Sequence, residues 1–143
     1  MANQMYTSAK DGLLGGLIDL DTAVIKVALL RSYTFSDSHV YVSNVTGAGG
    51  SIVGTPVALS SVSISSGVFD AADSVFTSVS AGAAIPALLV YQASAVTGGS
   101  DVASSSQRVI LYIDSAGGSL PITPTGGNIN VVWDNSLPGI LAI

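Results

Sequence analysis

The chain has no cysteine, no glutamate and little charge of either sign. Without cysteine there can be no disulfides and no thiolate metal ligands, and the redox compartment is not written in the sequence. Charged residues make up 9% of the 143 positions, where an ordinary soluble domain carries about 25%. Only Lys10, Lys26, Arg31 and Arg108 are positive, and the formal net charge is −5. Nucleic-acid binding draws most of its affinity from neutralised phosphates, so four scattered cations argue against a nucleic-acid partner. No run approaches the roughly 18–20 apolar residues of a membrane-spanning helix. The longest candidate, Ala84 to Val90, is broken by Pro86, and no membrane partner is expected. The opening MANQMYTSAKDG also lacks the charged start and apolar middle of a signal peptide.

What is present is apolar. Hydrophobic residues reach 48% and the mean hydropathy is +0.61. Monomeric soluble proteins rarely expose apolar patches above a few hundred Å², so neighbouring molecules are expected to cover much of this surface. The length fits one domain. All nine acids are Asp, a residue of turns and caps. With 16 Gly and abundant Ser, Thr and Val, the composition predicts strands joined by tight turns.

Along the chain, SAKDGLLGG (8–16) predicts the one helical turn, with Ser8 as its cap and Gly15-Gly16 as its stop. TAVIKVALLR (22–31) predicts a strand whose Ile25, Val27 and Leu29 face the core. TFSDSH (34–39) is a turn cluster, followed by a short strand at 40–42 and a flexible glycine loop, VTGAGGSIVGTP (45–56). VALSSVSIS (57–65) alternates with a phase slip at Ser60-Ser61, where a β-bulge is predicted. Further strands are expected at Val68-Phe69, at 74–79 and in AIPALLVYQA (84–93), the last being central with Pro86 near its start. After a polar loop (94–107) come RVILYID (108–114), a short extended piece around Ile122, NINVVWDN (128–135) and GILAI (139–143). This spacing predicts an all-β fold, an antiparallel β-sandwich of jelly-roll-like kind with a short N-terminal helical turn, over residues 1–143 as one domain.

Several residues invite a chemical reading. Asp70 and Asp73 in VFDAADSVF are three apart, so they share one turn instead of facing each other across a substrate as glycosidase carboxyls do. The structural reading is an Asp turn at a sheet rim, where each carboxylate accepts a nearby backbone N–H. Asp19 and Asp21 in LIDLDTAV supply too few oxygens for calcium; as alternate residues of an entering strand they share a solvated face. His39, the only histidine, has no GxSxG partner and no cysteine for a zinc site, and is expected to be an exposed loop residue. TGAGGSIVGT and AVTGGSDVAS lack the lysine of a phosphate loop. Trp133 reads as a core or interface aromatic, with a sugar-stacking platform as the alternative. No catalytic residue, cofactor site or metal site is expected.

The order of motifs as a whole resembles a family of small virion proteins of tailed bacteriophages, the capsid decoration or cement proteins. The residues that carry the resemblance are AKDGLLGGLIDLDTAVIKVALL, TFSDSHVYVSNV, GVFDAAD with VFTSV, ALLVYQ, RVILYID and LPITPTGGNINVVWDN. It implies a non-enzymatic β-sandwich subunit on the outer capsid surface of the virion, with the major capsid protein as partner and often a homotrimer at a symmetry axis. The segments 1–16 and 137–143 are the expected inter-subunit contacts, the second equally readable as a core strand. The alternative is a tail or fibre component, such as a host-glycan-binding module, for which exposed Trp133, Tyr91 and Tyr112 on one face would speak. A glycan-cleaving enzyme would need two carboxylates across a cleft.

Overall fold

The computed structural model describes residues 3–116, 119–134 and 139–143. It is mostly β, 36% strand against 10% helix, with every strand pair antiparallel. The expected all-β, sandwich-like architecture is what the chain adopts. The elements run β1 (Gln4–Met5), α1 (Thr7–Leu14), β2 (Ile25–Arg31), α2 (Val42–Gly47), β3 (Ser51–Ala58), β4 (Ser63–Ser65) and β5 (Val68–Asp70). They continue with β6 (Ser74–Phe76), β7 (Ala87–Gln92), β8 (Val109–Ile113), β9 (Ile129–Val131) and β10 (Leu141–Ala142).

Five strands form the main sheet in the order β1-β8-β7-β2-β3; β10-β5-β4 and β6-β9 form two smaller sheets. β7 is the central strand, as its unbroken apolar run predicts, and every residue of β7 and β8 is buried. Runs that are apolar on both sides need cover on both faces. On one face, Leu29 and Leu88 share a hollow of about 220 Å³ with Ile122, Ile129 and Val131, so β9 and the Ile122 segment are layered there. On the other face Tyr112, which pairs with Leu89, packs edge-on to Tyr33 at 5.8 Å and beside Phe35 at 5.4 Å, while Phe35 in turn lies 4.9 Å from Tyr6.

The glycine-rich segment 45–56 departs from the expected loop. Asn44 accepts hydrogen bonds from the backbone N–H groups of Val40 (3.1 Å) and Tyr41 (2.9 Å). The chain therefore turns into α2 where a strand at 40–42 was expected; Tyr41 keeps only a single bridge to Arg108. Gly50 then lets the backbone close on the helix, since a Cβ there would lie 2.7 Å from the Val45 carbonyl. From Ser51 the chain pairs with β2 as an edge strand. Its register slips between Val27 and Leu29, opposite Val57 and Val53. The bulge thus falls at 54–56, where Gly54 has φ +68 and Pro56 sits on the open edge. It does not fall at Ser60-Ser61, where the chain leaves β3 for the sheet containing β4.

Two smaller differences concern β2 and α1. Ile25, Val27 and Leu29 are buried as expected, but so are Ala28 and Leu30, which makes β2 an interior strand covered on both faces. α1 begins two residues earlier than expected, with Tyr6 in place of Ser8 as N-cap and no capping side chain of its own. Gly15 and Gly16 close it, the latter at φ +71.

Candidate functional site

The carboxylates do not converge. Asp70 ends β5 and Ser74 begins β6, so DAAD is the connection between two sheets. Its hydrogen bonding is not that of a local Asp turn, however. The Asp73 carboxylate accepts the backbone N–H of Trp133, 3.0 Å away and 60 residues on. Asp70 is half-buried opposite Ser63, and its Oδ1 is shielded with no hydrogen-bond partner, which corrects the expected solvated rim. Asp19 lies in a turn rather than in an entering strand. Its oxygens accept the N–H groups of Asp21 (2.9 Å) and Thr22 (3.0 Å) and the Thr22 hydroxyl. These Thr22 bonds, the hydroxyl's first, hold the carboxyl below its ordinary range. Among the described residues no three His, Cys, Asp or Glu side chains gather as a metal set would require.

His39 is half-buried, not an exposed loop residue. Its Nδ1 lies 2.8 Å from the Tyr33 hydroxyl, which is 3.2 Å from the hydroxyl of fully buried Tyr6. Burial, then the Tyr33 hydroxyl, raise the Tyr6 phenol far above its usual range, and burial pushes Tyr91 up to about 12. The polar chain ties the 33–39 loop to the start of α1, and two further contacts complete the tie. The Asp37 carboxylate accepts the Thr7 N–H (2.7 Å) and the Thr7 hydroxyl (2.6 Å), and the Ser8 hydroxyl donates to the His39 carbonyl (3.0 Å). Asp37 therefore caps α1 from 30 residues away, and the Thr7 hydroxyl, then its amide, keep the carboxyl below its ordinary range. Sequence reading missed this cap because its two halves are remote and each is an ordinary polar residue.

The aromatic candidates are inside. Trp133 is 6% exposed, Tyr91 and Tyr112 each 4%, and the Trp133 indole donates to Ser74 Oγ at 3.1 Å. A stacking platform made of these rings is therefore not on the surface.

Exposed apolar side chains are concentrated elsewhere. Leu14 is 89% and Ile143 86% exposed. Both line a groove of about 400 Å³ together with Met5, Lys10, Leu13 and Leu141. A second, more open hollow shares Leu13 and continues past Ile18 to Ile64 and Val96, and exposed Leu17 and Ile64 extend the apolar surface. The two segments expected to make contacts thus meet on one face. Met1, Ala2, Leu137 and Pro138 lie outside the described residues. Of the rest, Gln4 and Met5 pair with β8, while Leu141 and Ala142 pair with β5. The C-terminal piece is therefore both a strand and a surface.

No family model matches the chain, and no curated protein or solved structure matches it either.

Proposed function

We propose that this protein is a non-enzymatic virion component that binds the outer surface of an assembled phage capsid and stabilises it. The apolar face around α1 and β10 carries the reading: in a chain with 9% charged residues, Leu14 and Ile143 remain largely uncovered by the chain itself, and nearby Leu17 and Ile64 about half so. Monomers rarely leave such surface open, and a partner that covers it gains the free energy of its burial, about 25 cal/mol per Å² before the costs of association. The resemblance of the quoted motifs to decoration proteins supplies the partners, the major capsid protein and further copies of this chain arranged as a trimer.

The mechanism is mass action. A subunit that binds only the assembled shell lowers the free energy of that state by its binding free energy, and repetition over a lattice turns modest single contacts into avidity. The buried positions of Trp133, Tyr91 and Tyr112 favour this role over a glycan-binding module. Purified protein mixed with undecorated capsids is expected to give ordered density outside the shell by electron cryomicroscopy. Density on tail tips alone, or sugar binding by the free monomer, would overturn the assignment.

A further inference from the structure

The groove between α1 and β10 has a floor of side chains and, beside it, two open sheet edges. β1 is the terminal strand of the five-stranded sheet and β10 that of the three-stranded one, and both contribute to the lining through Met5 and Leu141. The Tyr6 N–H donates to the Ile110 carbonyl at 3.1 Å, and Met5 stands opposite Leu111 in the same antiparallel ladder. Successive residues of such a ladder point their N–H and C=O groups to opposite sides. The Met5 amide and carbonyl are thus aimed away from β8, toward the open edge.

The opposite edge of the main sheet, β3, is blunted. β3 carries the bulge at 54–56 and Pro56, devices that discourage a further strand. The β1 edge has neither. Lys10 stands out as well. Of the other cations, Lys26 is paired with Asp101 at 2.5 Å, Arg108 lies over the Tyr41 ring at 5.3 Å, and Arg31 is half-buried. Lys10 is exposed and makes no ion pair among the described residues. Its charged neighbour Asp37 attracts it only from beyond ion-pair distance while accepting both Thr7 hydrogen bonds.

We propose that the groove seats an added β-strand: an extended, apolar segment of the shell protein that brings a carboxylate to Lys10. Such a segment satisfies the outward backbone groups of the β1 edge while alternate side chains enter the apolar floor. A helix laid in the same place would leave those edge groups covered and unpaired, at about 1–3 kcal/mol each. The identity of the partner rests on the function proposed above; the mode of binding rests on the edge and the groove.

The test uses the intact protein and undecorated capsids. Leu14→Asp and Lys10→Asp alter exposed side chains, and each is expected to weaken shell binding by about tenfold or more, the equivalent of ~1.4 kcal/mol. Val132→Asp, at an exposed apolar position (72%) away from the groove, is expected to bind like the wild type. In the complex, hydrogen exchange at the Met5 amide should slow relative to the free protein. If the wild type binds shells while Leu14→Asp and Lys10→Asp bind equally well, the groove is not the seat although the function stands. Weakened variants with unchanged Met5 exchange would exclude strand addition. Failure of the wild type to bind shells would remove the function and this inference together.

Discussion

The middle of the main sheet and the α1–β10 face are built from similar residues put to different ends. Leu88, Leu89, Ile110 and Leu111 in β7 and β8 are at most 6% exposed, each enclosed by neighbours from the same chain. Leu14 and Ile143 are more than 85% exposed and have only a groove between them. The same apolar chemistry yields a core where strands flank it on both sides, and an uncovered surface where two short edge elements leave one side open. Composition sets how much apolar surface there is; topology decides whether the chain can cover it.

That contrast can be tested by truncating one leucine from each region. Leu89→Ala removes a fully buried side chain from the central strand and is expected to cost ~2–5 kcal/mol in chemical denaturation. A loss below about 1 kcal/mol would mean that the interior is loosely packed. An intermediate effect belongs to the cap that fastens α1. The Asp37 carboxyl is held below its ordinary value by Thr7, so its contribution is present above the unfolded value near pH ~4 and disappears as pH falls through the lower folded value. Asp37→Asn should therefore melt earlier than the wild type at pH 7, and the two melting temperatures should converge in acid. A gap that stays constant from neutral to acidic pH would show that the charge of Asp37 does not fasten the helix. The smallest effect is expected for Leu14→Ala, within about 0.5 kcal/mol of the wild type in the free protein. A larger loss would mean that Leu14 already packs against its own chain.

Much of the interior was legible in the sequence because its signals are local. ALLVYQ and RVILYID are continuous apolar runs with β-branched and aromatic residues, and both became buried strands. Pro86 stands just before β7, where a missing N–H does no harm. The segment 45–56 misled because its glycines signal flexibility when read singly. In the structure, Gly50 serves a close approach to Val45 and Gly54 a left-handed turn inside an edge strand. α2 has only a weak local signal: Val, Ser, Asn and Thr are indifferent helix formers, and its start depends on one side chain, Asn44, reaching back to the Val40 and Tyr41 amides. Both halves of the candidate surface were visible as segments, but their meeting was not. It depends on Met5 pairing with Leu111 and Leu141 with Phe69, contacts between parts of the chain that no short-range pattern connects.

The lone tryptophan gives the molecule a built-in optical gauge. Trp133 is held by Asp73 through its backbone and by Ser74 through its indole, at the seam where β6 pairs with β9. Its emission should redden when that minor sheet lifts from the rest. Because the groove lining contains no tryptophan, the same signal should stay quiet while a guest docks there, so unfolding and docking can be followed separately in one unlabelled sample.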